Sequence, residues 1–254
     1  MWLAMLGAAG IAASRTVARN RDWSSPDAIT NSTARACPGS AKAMLSLGTM
    51  HLTRKQHAAA HDAFRAALRI HPTYCDALQW LGRLAFMEGR CKEAEPLLLS
   101  ALEINIAHPE ANLFAGICAA RRDDDAAALF LLSRAHDYAP HNAEIVRDYG
   151  AMLLRVGRPL EALPMISRSV RMLSQLYSLG DTTAHGRSAL ASAQVKLAAA
   201  HLKLNRHREC VAAVDAAVAV EPSIAAALGG LREICIKGQR SGLDTSTVAV
   251  DLAL

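Results

Sequence analysis

Along residues 41–176, small and bulky apolar positions recur with one period. Gly48, Gly82, Gly116 and Gly150 stand 34 residues apart, and twelve residues after each comes an alanine: Ala60, Ala94, Ala128 and Ala162. A bulky apolar residue follows four positions on, at Phe64, Leu98, Leu132 and Ile166, and then Ala67, Ala101 and Ala135, with Ser169 as the polar exception. Steps of three and four keep these positions on one face of a helix. Polar or glycine-containing clusters divide each period in two: Arg54, Lys55, Gln56; Glu88, Gly89, Arg90; Arg122 to Asp125; Val156, Gly157, Arg158. The pattern predicts a pair of antiparallel helices per period. A glycine facing an alanine lets two backbones approach where a longer side chain would clash, and the bulky residue fills the gap beside the crossing. Pro72 and Pro140 lack the amide donor that a continuing helix needs and mark where the second helix stops; Ile106 and Ser174 hold that place in the second and fourth periods.

A 34-residue period with these signatures resembles the tetratricopeptide repeat, and it implies an all-α fold, a right-handed α-α superhelix. Repeats one to four cover 41–74, 75–108, 109–142 and 143–176. The period then breaks at 177–190, a polar insert with Gly180 and Gly186, and resumes in a fifth repeat at 191–224. There Ala198 takes the glycine position, Cys210 the alanine position, and Val214, Ala217 and Pro222 the rest. A closing helix over about 223–237 covers the apolar face that an array leaves open at its end, and 238–254 is expected as a flexible tail. Ahead of the repeats, 1–23 is an apolar segment with a basic junction. Residues 24–40 hold a short helix with Pro26, ending near Cys37 and Pro38.

Composition agrees with helices. Of 254 residues 52% are hydrophobic, largely alanine, and only 4% are aromatic, whereas strands favour β-branched and aromatic side chains. The net charge of +5 is spread along the chain without a dense basic stripe, so nucleic acid is not an expected partner. The six cysteines form no CxxC pair. A lone cysteine in a helical repeat reads as a small buried apolar residue, so these six do not fix the redox compartment.

Candidate chemistry is sparse. Asp123, Asp124 and Asp125 lack the alternating ligands of a calcium loop and read as caps of the following helix. His57 and His61 share a helix face at the spacing of a zinc site, but no glutamate follows His57 and no third ligand is in view, so both read as solvated, as do His201 and His207. No nucleophile elbow and no phosphate-cradling glycine loop occurs, so no catalytic residue, metal or cofactor is expected.

The expected binding surface is the concave groove lined by the first helix of each repeat, taking a protein or peptide ligand. Its second, fifth and ninth positions carry Lys42, Leu45, Thr49; Asp76, Gln79, Arg83; Glu110, Leu113, Ile117; and Glu144, Arg147, Ala151. Leu45 and Thr49 stand where arrays that bind acidic chaperone tails hold carboxylate-binding Lys or Asn. Gln79, Arg83 and Arg147 are the predicted peptide contacts.

The apolar run from Met1 to Ala13 is shorter than the roughly 20 residues of a membrane span, and it lacks the basic start of a signal peptide. It also reads as the trailing end of a membrane helix begun upstream. Trp23 suits either a membrane interface or packing against the first repeat. Asn31, Ser32 and Thr33 form the chain's single glycosylation triplet, making Asn31 a candidate acceptor in a secretory lumen.

The junction of Ser14, Arg15, Thr16 with Arg19 to Trp23, then Cys37 to Lys42 and Leu47-Gly48, resembles the transmembrane and tetratricopeptide-repeat-containing O-mannosyltransferase family. So do His71 to Leu78 and Leu81 to Leu84. That family transfers mannose from dolichyl-phosphate mannose through a membrane half whose catalytic carboxylates have no counterpart in this chain. The resemblance implies repeats in the endoplasmic reticulum lumen, engaging acceptor proteins such as cadherins, and membrane attachment through the N-terminal segment or a region upstream. A soluble cytoplasmic scaffold that docks a partner peptide or helix is the alternative.

Overall fold

A computed structural model describes residues 2–180, 183–242 and 244–248, with the side chains of 2–9 and Ala18 left aside. The chain divides after the second repeat into two compact units, Met1–Ile106 and Ala107–Leu254. All regular structure among the described residues is helical.

The first unit holds α1 (Trp2–Asp22), α2 (Pro26–Ala36), α3 (Ala41–Thr53), α4 (His57–Ile70), α5 (Cys75–Met87) and α6 (Cys91–Ile104). The crossings follow the periodic pattern. A Cβ placed on Gly48 would stand 2.3 Å from the Phe64 ring, and one on Gly82 2.6 Å from Leu98 Cγ, so α3–α4 and α5–α6 close only because glycine is there. Ala60 and Phe64 form one cluster with Leu81 and Leu84 of the next helix. α4 stops at Ile70, two residues before Pro72. α6 ends at Ile104 without a following proline in its own repeat; Pro109, at the first position of the next helix, sets that start.

The second unit holds α7 (Pro109–Arg121), α8 (Asp125–Tyr138), α9 (Ala143–Arg155), α10 (Pro159–Ser178), α11 (Ala184–Lys203), α12 (His207–Val220), a 3-10 turn at Pro222–Ile224 and α13 (Ala225–Ser241). Gly116 meets Leu132 and Gly150 meets Ile166 as in the first unit. Ser169 is fully buried, and its hydroxyl donates to the Ala143 carbonyl at 2.7 Å, which satisfies the one polar signature position. Ser174 does not stop its helix. α10 runs on to Ser178, and α10 and α11 reach 20 residues each, against 13 or 14 in the other repeat helices. Much of 177–190 is thus helical hairpin; Asp181 and Thr182 of that insert lie outside the described residues.

All five turns within repeats use one device. Lys55, Gly89, Asp123, Gly157 and Asn205, each seven residues after the crossing position, take a positive φ of 55° to 76°. The Asp run caps α8 as expected: Asp124 accepts from the Ala127 amide at 3.1 Å. Asp123 and Asp125 take the Arg155 guanidinium between them, each at 2.7 Å.

The C-terminal end departs from the expected tail. α13 continues through Ser241, and Asp244–Val248 returns to the α11–α12 turn, burying Thr245 completely. Leu243 and 249–254 lie outside the described residues.

Candidate functional site

In the first unit, α5 carries Gln79 and Arg83 one turn apart. Gln79 is 1% exposed, so it is not an open groove contact. The register selects the helix face, but the packing around that face decides which of its side chains meet solvent. Arg83 is half-buried, with its guanidinium 4.9 Å over the Trp80 ring, which itself stacks on Phe64 at 5.9 Å. A cation over an indole face is held in place by the negative face of the ring.

In the second unit, Arg147 on α9 binds its neighbour Asp148 in a fork, Nε to Oδ1 at 2.8 Å and Nη2 to Oδ2 at 2.9 Å. The Arg147 side chain is 15% exposed and that of Asp148 8%. Nη1 keeps its donors without a partner among the described residues, so the pair presents an oriented donor edge. Burial weakens the Arg147 charge, but the Asp148 carboxylate more than offsets this and holds its pKa above the ordinary value. Lys196 on α11 is 4% exposed. Burial pushes its ammonium pKa down, Asp148 opposes the shift and Arg147 adds to it. Two cations therefore lean on one carboxylate, while the adjacent Glu144 pairs with His185 at 3.0 Å.

Asp148 and Lys196 were not singled out by sequence. Both occupy the sixth position of their repeats, and opposite charges at one repeat position were the available signal. Gln79 and Arg83 share α5, and Arg147 stands in the other unit.

The remaining candidates resolve individually. His57 and His61 have side chains 38% and 39% exposed; the Glu88 carboxylate lies 3.7 Å from His57, and Arg90, with smaller help from both imidazoles, holds its pKa down. His201 and His207 are half-buried rather than fully solvated. His201 is half-buried with Nδ1 unpartnered, its pKa lowered by burial, and His207 packs on Gly238. Cys210 and Cys235 are joined in a disulfide between α12 and α13, whereas Cys37, Cys75, Cys91 and Cys118 are not disulfide-bonded. Spacing alone gave no sign of that pair.

Asn31 lies on α2, and its Nδ2, the atom a glycan would occupy, donates to the Asp27 carbonyl at 2.9 Å. Trp23 is 66% exposed, so it does not pack under the first repeat. No helix among the described residues is long and apolar enough to cross a membrane.

Residues 26–74 match the tetratricopeptide repeat family model. Among solved structures, the chain is similar to YrrB, a TPR protein with an unusual peptide-binding site, at 14% identity over 83% of this chain and 97% of that one, TM-score 0.57. It is also similar to TTC0263, a thermophilic TPR protein of Thermus thermophilus, at 17% identity over 79% and 100%, TM-score 0.54. A third likeness is to the APC/C hetero-tetramer Cut9-Hcn1, at 14% identity over 88% of this chain and 44% of that one, TM-score 0.67. No curated protein sequence matches the chain. Together with the glycine crossings, these likenesses establish the tetratricopeptide-repeat fold.

Proposed function

We propose that the repeats are a protein-interaction module whose first helices take an extended segment of a partner protein. The observation that carries this reading is Arg147, held in a fork by Asp148 with one donor edge left over. A guanidinium fixed in this way loses little further entropy on binding a peptide carbonyl or carboxylate. Arg83 on its Trp80 ring is the corresponding anchor of the first unit. The likeness to YrrB, a TPR protein with a peptide-binding site, supports the class of ligand.

In the finer reading, these repeats are the luminal part of a dolichyl-phosphate-mannose protein O-mannosyltransferase-like membrane protein. They engage acceptor proteins, and attachment to the endoplasmic reticulum membrane runs through the N-terminal segment or a region upstream. The junction at 12–42 supports it, as does the Cys210–Cys235 disulfide, since such bonds persist in oxidising compartments. A soluble scaffold binding a partner peptide or helix is the alternative.

Protease added to intact microsomes from cells making the protein separates the two. Repeats that survive until detergent is added support the luminal reading. Digestion in intact vesicles, or recovery of the repeats in the soluble fraction, supports the scaffold.

A further inference from the structure

Two neighbouring contacts near its C-terminal end, one of them covalent, tie the last helix to α12. Cys210 on α12 is bonded to Cys235 on α13, their Cα atoms 5.9 Å apart. One turn away on each helix, His207 lies against Gly238 so closely that a Cβ there would stand 2.4 Å from the imidazole. The same ring faces the returning segment, its Nε2 3.0 Å from Thr245 Oγ1. His207 is thus wedged between the α13 backbone and the segment beyond it.

Otherwise α13 is thinly anchored. Of Ala225–Ser241 only Cys235 and Gly238 are buried, with Leu228, Leu231 and Ile234 half-buried on the cluster around Leu202 and Val214. The segment after it is held by polar contacts at 244–246 and by Val248, half-buried on the same cluster. Thr245 N donates to Asn205 Oδ1 at 2.8 Å and Thr245 Oγ1 to the Leu202 carbonyl at 2.9 Å. Asn205 Nδ2 donates to Asp244 Oδ1 at 2.9 Å, and Lys203 Nζ to the Ser246 carbonyl at 3.1 Å.

We propose that residues 244–246 are a latch over Lys203, Asn205 and His207, and that the Cys210–Cys235 disulfide sets whether the latch is closed. Hydrogen bonds of this kind each add little net stability, so a three-residue segment closes mainly because α13 delivers it at high effective concentration. That delivery depends on the seat of α13, to which the disulfide is the firmest tie. A dithiol reductant attacks one sulfur as thiolate and passes two electrons to the bond; it leaves two cysteine thiols and is itself closed to a disulfide. α13 then keeps the His207–Gly238 contact, its half-buried Leu228, Leu231 and Ile234, and the exposed Arg232–Asp215 ion pair to α12, a surface pair worth little, and it opens locally. The latch leaves with it and uncovers an ammonium, an amide and an imidazole on one turn.

Amide hydrogen exchange on the full purified chain tests this, before and after dithiothreitol, with thiols counted by mass. Reduction is expected to lower protection of the Thr245 amide and of α13 by on the order of tenfold or more, leaving α7–α9 unchanged. A Thr245→Val chain with its disulfide intact is expected to lose protection at 244–246 while α13 keeps its own. The proposal is overturned if the chain purified without reductant carries free thiols at both positions, or if Thr245 stays protected after reduction. It is equally overturned if reduction deprotects the whole second unit, because the disulfide would then be a general staple.

Discussion

Ile166 occupies the space that a side chain on Gly150 would need: a Cβ there would lie 2.6 Å from Ile166 Cγ1 and 3.3 Å from the Ile166 amide nitrogen. The second of these atoms is backbone and cannot rotate away. Gly150→Ala is therefore expected to destabilise the second unit by about 2 kcal/mol, the typical penalty of overpacking. Gly229→Ala, in exposed α13 with nothing within 4 Å of the added carbon, is expected to stabilise by about 0.5–1 kcal/mol through helix propensity. Urea denaturation of the two variants checks the pair, and equal effects would refute the crossing as the reason for the glycine register.

Lys55 takes at φ 58° the turn position that Gly89 and Gly157 take at 76°. A lysine in left-handed conformation is strained, so Lys55→Gly is expected to raise stability, and Gly89→Ala to lower it, each by about 1 kcal/mol. Thermal melts of the two variants should move in opposite directions.

Asp148 is the carboxylate that Arg147 grips and Lys196 leans on. Asp148→Asn leaves two largely buried cations facing a neutral amide and is expected to cost about 3 kcal/mol. Adding Lys196→Met removes one of those charges and should recover a good part of the loss. A double variant no more stable than Asp148→Asn alone would show that the two charges do not interact.

The pH dependence of the C-terminal segment follows from Asp244. Hydrogen bonds from the Ser246 backbone and then from Asn205 hold its pKa at about 2, below the ordinary 3.8. A depressed carboxylate adds stability above its unfolded pKa and loses it as pH falls through the folded value. Protection of the Thr245 amide is thus expected to decline between about pH 4 and pH 2 and to be flat from about pH 5 to 7. Asp244→Asn should abolish that decline; an unchanged acid profile in the variant would assign it to another group.

The glycine and alanine register was legible because helix crossings admit few residue types, so sterics write the fold into the sequence directly. The turns were legible for the same reason at Gly89 and Gly157, and less so at Lys55 and Asn205, where the left-handed position is filled by residues that do not demand it. Gln79 shows the limit of register: its position marks a helix face, yet neighbouring side chains bury it. Cys210 and Cys235 meet only because α13 folds back on α12, a tertiary relation with no fixed spacing. The return of Thr245 to Asn205 spans 40 residues and leaves no local pattern at all.

Whether Arg83 in the first unit and Arg147 in the second each anchor a bound protein segment is decided by selecting displayed random peptides on the purified chain and measuring their binding by fluorescence anisotropy. The selected peptides are expected to bind in the roughly micromolar range and to weaken about tenfold or more with Arg83→Ala or Arg147→Ala, as loss of a charge-assisted contact requires. Peptides whose binding is unchanged by both substitutions would contradict the role given to the two arginines.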